Sequence, residues 1–86
     1  MHEMSVIENL IPLLKRICEE QKAYRVVSVQ LRIHPYSCLD QENLNFMFSC
    51  IAENEPRLKD TKIKVIRSSE NQEREYIVDN VELEIE

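Results

Sequence analysis

Eighty-six residues suffice for one small domain, residues 1–86, and leave no room for a second core. Sixteen acidic against eleven basic residues give a formal net charge of −5, which disfavours nucleic acid and anionic membrane as partners and favours a cation or a basic protein. The three cysteines, Cys18, Cys38 and Cys50, form no C-x-x-C pair, so reduced thiols in a cytoplasmic protein without structural zinc are expected. No glycine is present, which removes the phosphate-cradling loops of nucleotide-binding motifs and leaves tight turns to Asn, Asp and Pro.

The chain opens on Met1-His2-Glu3. An α-amine, the deprotonated amide of His2 and its imidazole close successive small chelate rings on one ion, a planar nitrogen set that suits nickel or copper. The first residues of most domains are poorly ordered, so these three decide nothing alone. No positive leader follows, and Glu8 and Asn9 interrupt the apolar run from Val6 to Leu14, so neither a signal peptide nor a membrane span is expected.

Ser5-Val6-Ile7-Glu8 reads as a capping box that starts a helix. Ile7, Leu10, Ile11, Leu14, Ile17 and Cys18 then recur at helical spacing as one apolar stripe. Pro12 conflicts with an uninterrupted helix, and the sequence predicts a kink near Glu8 or a restart capped by Asn9. Arg25 to Ile33 alternates as a half-buried strand, with Val27, Val29, Leu31 and Ile33 on one face and Ser28, Gln30 and Arg32 on the other. His34-Pro35 ends it. His34 is a candidate ligand, although a histidine at a strand end is more often a half-exposed surface group.

Asp40 is the expected N-cap of a second helix carrying Leu44, Met47, Phe48 and Ile51 and ending near Glu53. Thr61 to Arg67 forms a second strand with Ile63 and Val65 inward and Lys62 and Lys64 outward. Ser68 to Glu75 is a polar loop with nothing to bury. Tyr76 to Ile85 forms a third strand in which Asp79-Asn80 bends or bulges the chain and Glu82 and Glu84 point outward. If the last two strands pair as a hairpin, those acids lie across from Lys62 and Lys64. The order α-β-α-β-β defines an α+β domain, a three-stranded mixed sheet with two helices on one face. A right-handed crossover makes the first two strands parallel and the third antiparallel.

These stretches resemble the HypA/HybF family of nickel chaperones for hydrogenase maturation, nearly from end to end. Met1-His2-Glu3-Met4-Ser5-Val6 is similar to the family's amino terminus, and Arg25 through Ile33 to its first strand. Tyr36-Ser37-Cys38-Leu39-Asp40 followed by Leu44-Asn45-Phe46-Met47-Phe48 is similar to its second-helix entry, and Val81-Glu82-Leu83-Glu84-Ile85-Glu86 to its closing strand. The resemblance implies that His2 is the primary nickel ligand, that Glu3 supports the site and that Asp40 lies near the metal. Two features depart from the family. Its zinc domain, with two C-x-x-C pairs between the last two strands, is replaced by the short loop at 67–75. His34-Pro35 stands where a glycine is expected, so His34 either reaches the metal or marks drift from the ancestral role.

The expected function is that of a nickel-binding accessory protein in the maturation of a nickel enzyme such as [NiFe]-hydrogenase. Met1, His2, Glu3, Asp40 and His34 are the candidate metal residues, and Ni(II) is transient cargo. The alternative is a metal-free HypA-like module that docks on a maturation GTPase (HypB-like) or on the enzyme precursor and regulates assembly. No Cys-His, Ser-His or paired-carboxylate arrangement points to an enzyme. The uncovered edges of a three-stranded sheet lead to the expectation of a weak homodimer.

Overall fold

In a computed structural model of the chain, residues 3–68 and 74–85 are described. Helix α1 spans Glu3–Glu20, strand β1 Arg25–Ile33, helix α2 Gln41–Ile51, strand β2 Lys62–Arg67 and strand β3 Tyr76–Glu84. The sheet order is β2-β1-β3, with β2 parallel and β3 antiparallel to β1. The first two strands are therefore parallel and the third antiparallel, as predicted, but the hairpin between the last two strands does not form. The middle place, paired on both edges, goes to the most apolar strand: Val26, Val29, Leu31 and Ile33 of β1 have no exposed surface.

Separation of β2 from β3 changes the charge pairing. Glu84 reaches Arg25 at 3.4 Å and Asp79 reaches Arg32 at 3.2 Å, both across to β1. The Ser28 hydroxyl donates to Glu82 at 3.1 Å. None of these acids meets Lys62 or Lys64, whose Cα partners on β1 are Ser28 and Gln30.

Helix α1 begins at Glu3, two residues ahead of the predicted capping box, so Ser5 is helical. The Glu3 carboxylate suits the positive end of the helix dipole, and burial of both Val6 and Ile7 holds the first turn on the core. No restart occurs at Asn9, which is helical and donates through its side chain to the Tyr76 hydroxyl at 3.2 Å. Pro12 is tolerated within the helix because it and Glu8, whose carbonyl loses its partner, both lie on the exposed side. The helix ends in a Schellman motif, with Ala23 N–H donating to Cys18 O at 2.9 Å and Lys22 N–H to Glu19 O at 3.2 Å. In a chain without glycine, Lys22 takes the left-handed position at φ 54°.

Strand β1 departs from simple alternation. The register slips between Val26 and Ser28, so Val27 is the extra residue of a bulge, and Val26 rather than Val27 enters the core. A matching slip on β3 leaves Asp79 extra, at the predicted Asp79-Asn80 bend. Val78 and Val81 consequently both turn toward the helices. Asp40 caps α2 as expected, with φ −123° and a side chain that accepts from Asn43 N–H at 3.0 Å.

The predicted polar loop is fastened at both ends. Ser68 is buried and its N–H donates to Ile33 O at 3.1 Å, while Glu75 O accepts from His34 N–H at 2.8 Å. The expectation that Ser68 to Glu75 has nothing to bury is therefore corrected at Ser68, while Glu75 is half-buried; 69–73 lie outside the described residues.

Candidate functional site

One end of the sheet gathers the residues that the sequence singled out. Strand β1 ends there at Ile33, registered opposite Tyr76 at the start of β3. Helix α1 packs back along the sheet, its last turn next to the start of β1, and the Asn9–Tyr76 bond ties its amino-terminal half to the Ile33 end. Helix α2 starts at the same end, following the turn that leaves β1.

The segment from His34 to Asp40 shapes this end. Arg67, the last residue of β2, spans it by donating to three carbonyls: Pro35 O at 3.2 Å, Ser37 O at 2.9 Å and Leu39 O at 3.1 Å. Ser37 donates through its hydroxyl to the Glu75 carboxylate at 2.7 Å and accepts from Leu39 N–H at 3.1 Å. Leu39 fills the core with no exposed surface, so the segment is anchored from below by an apolar side chain and from the side by a guanidinium. His34, Tyr36, Ser37 and Glu75 line a cavity of about 260 Å³.

His34 is half-buried. Its Nδ1 accepts from Tyr36 N–H at 3.2 Å, and its ring lies 5.7 Å from that of Tyr36 at a 44° tilt. The Nδ1 is thus occupied, and Nε2 is the nitrogen available to a ligand. Asp40 commits Oδ2 to the α2 cap and is exposed. Glu3 stands in the first turn of α1. Met1 and His2, the core of the predicted site, lie outside the described residues. Glu3, His34 and Asp40 belong to one end of the fold, yet no group of three or more His, Cys, Asp or Glu converges on a common point among the described residues.

Sequence reasoning missed Arg67, Ser37 and Glu75. Arg67 reads in sequence as one more polar strand residue, and its carbonyl partners lie some thirty residues earlier. A strand-end arginine preceding a polar loop carries no local signal of that role.

The element order and the β2-β1-β3 sheet define a small α+β domain with a three-stranded mixed sheet. The chain matches, over residues 1–74, the family described as "Hydrogenase/urease nickel incorporation, metallochaperone, hypA". The protein belongs to the HypA family of nickel-incorporation metallochaperones. It is 36% identical over 56 residues to hydrogenase maturation factor HypA of Methanopyrus kandleri, a match covering 65% of this chain and 39% of that protein. The corresponding factor of Azotobacter chroococcum is 37% identical over 51 residues, 59% of this chain and 45% of that one. The matched segment thus spans less than half the length of either relative.

Among solved structures, the fold is similar to that of the nickel metallochaperone HypA from Helicobacter pylori. The TM-score is 0.80 with 20% identity, and the match covers all of both chains. A second HypA solution structure aligns with TM-score 0.65 and 18% identity over 96% of this chain and 92% of that one. These likenesses establish the fold, two helices with a three-stranded mixed sheet. Among the described residues no helix is long and apolar enough to cross a membrane.

Proposed function

We propose that the chain holds one Ni(II) at its amino terminus and passes it to the precursor of a nickel enzyme such as [NiFe]-hydrogenase, acting in the cytoplasm with a maturation GTPase. The Met1 amine, the deprotonated His2 amide and the His2 imidazole supply three nitrogens in a plane. Glu3 supports this set, and Asp40 Oδ1 or His34 Nε2 takes the fourth position until an acceptor's ligand enters. The observation that carries the reading is the family match, which begins at residue 1 and includes His2 and Glu3. That the first turn of α1, the cap of α2 and His34 belong to one end of the fold supports the reading. The nickel is cargo, no structural zinc is needed, and no catalytic step is assigned.

Nickel titration of protein with a native, untagged amino terminus tests the reading. One tight site is expected, lost in His2→Ala and when a tag converts the Met1 amine to an amide. If both altered proteins bind nickel as tightly as the native chain, a metal-free docking module becomes the better account.

A further inference from the structure

The sheet face turned away from the helices has two unlike halves. The antiparallel half, β1 with β3, is satisfied from within the chain: Asp79 receives Arg32 at 3.2 Å and Gln30 at 2.8 Å, Glu84 meets Arg25 at 3.4 Å, and Glu82 accepts from the Ser28 hydroxyl at 3.1 Å. The other half, β1 with β2, is parallel. Lys62, Lys64 and Ile66 follow one another along β2 on this face, all exposed, beside Ser28, Gln30 and Arg32 of β1. Neither lysine meets an acid among the described residues. Antiparallel pairs commonly leave one face in water, whereas parallel pairs are ordinarily covered on both. The uncovered half is thus the one that physics expects to be covered.

Lysines on an edge strand often serve to keep other strands away. On β2 that role is already filled. Asn45 of α2 accepts from Ile63 N–H at 2.8 Å and donates to Ile63 O at 2.9 Å, and Gln41 accepts from Val65 N–H at 2.9 Å. Two side-chain amides therefore occupy the backbone groups that an added strand would need, and a partner at β2 must dock on side chains instead. Ile66, 43% exposed, gives the lysine row an apolar end, and Ile77, 41% exposed, lies across Arg32 from it.

We infer that the open face of β2 docks an acidic amphipathic helix of a partner protein, with carboxylates one turn apart on Lys62 and Lys64 and an apolar residue one turn further along over Ile66. Side chains two residues apart on a strand lie about 6.6 Å apart, and residues four apart on a helix rise about 6 Å. The pattern Glu-x-x-x-Glu-x-x-x-Leu therefore matches the row position by position. A helix about 10 Å across also reaches over the neighbouring strand, covering Gln30 and Arg32.

Charge decides which side of the face the helix takes. The net charge of −5 favours basic partners at long range, yet the charge left unpaired on this half is positive. On the other half Arg32 and Arg25 offset Asp79 and Glu84, while Glu82 has only a hydroxyl partner among the described residues and keeps its charge. Glu82 thus repels acids from the β3 margin and confines them to β2. This inference does not rest on nickel binding.

Titration of the untagged, isotope-labelled full chain with an alanine-based helical peptide carrying Glu-Ala-Ala-Ala-Glu-Ala-Ala-Ala-Leu, followed by nuclear magnetic resonance, provides the test. Saturable binding is expected, with shifts gathered on Lys62, Lys64, Ile66, Gln30 and Arg32 and absent from α1. Combining Lys62→Glu with Lys64→Glu should weaken binding at least tenfold while keeping the native far-ultraviolet circular dichroism. A peptide with lysine in place of each glutamate should not bind, and added sodium chloride should weaken the native complex. Should the double variant not fold, the shift map of the unaltered chain decides. Absence of saturable binding, shifts centred elsewhere, or equal binding by a folded double variant overturns the inference. Tighter binding through the same lysines to phosphatidylglycerol vesicles or duplex DNA than to the peptide also overturns it and assigns the row to a polyanion.

Discussion

The Asn45 carboxamide bonds both backbone groups of Ile63, donating to its carbonyl at 2.9 Å and receiving its N–H at 2.8 Å. One helical side chain thereby stands in for one residue of a missing strand. Leu44 and Phe48 flank Asn45 in the α2 sequence and lie fully in the core, so the carboxamide is held in place by the packing of its own helix. Asn45→Ala leaves a part-buried donor and acceptor without these partners and should lower stability by about 1–3 kcal/mol, read from chemical denaturation. It should also raise the tendency to self-associate, because the β2 edge becomes available.

Lys22 occupies the left-handed position that closes α1, at φ 54°. A residue with a Cβ is strained there and glycine is not. Lys22→Gly should therefore stabilise the domain by about 0.5–1 kcal/mol, shifting the thermal midpoint upward by a few degrees. An unchanged or lowered midpoint would show that the lysine side chain contributes more than the strain removes.

Arg67 fixes the carbonyls of Pro35, Ser37 and Leu39. Its exposure limits the energy involved, and Arg67→Ala should destabilise the whole domain by only about 1 kcal/mol. The local effect should be larger: amide exchange from His34 to Asp40 accelerates while that of the β1 core is nearly unchanged. Lysine at this position supplies a charge but not the planar fork that reaches three carbonyls, so Arg67→Lys should restore little of the protection.

Asp40 serves the α2 cap through Oδ2 and, in the proposed nickel site, offers its other oxygen. Two variants separate the roles. Asp40→Ala loses both and should cost about 1 kcal/mol of stability, whereas Asp40→Ser keeps a capping oxygen and loses only the carboxylate. Nickel affinity reduced equally in both, with stability reduced only in the first, assigns the carboxylate to the metal. Affinity that is native in the serine variant removes Asp40 from the site.

Nickel affinity should also rise with pH across roughly 6 to 8, because in the proposed site the Met1 amine and His2 imidazole would bind metal only after losing their protons. Binding should accordingly release protons, measurable by calorimetry in buffers of different ionisation enthalpy. Affinity independent of pH in this range would place the metal on carboxylates instead.

Local pattern alone determined the two apolar helix stripes, the three strands, the Asp40 cap and the Asp79-Asn80 irregularity, because each is written within a few consecutive residues, and the parallel pairing of the first two strands followed from their connection through a helix. The candidate residues Glu3, His34 and Asp40 were likewise nameable from sequence, by residue type and resemblance. Only the tertiary structure decided that β1 takes the centre of the sheet, because strand order depends on which strand loses most water when both its edges are paired. It also decided that Val26 replaces Val27 in the core, since the bulge that resets the alternation arises from register against β3. The Asn45 plug and the Arg67 clamp were illegible for the same reason: each joins a side chain to backbone groups 18 or more residues away, and sequence periodicity carries no information about contacts at that separation.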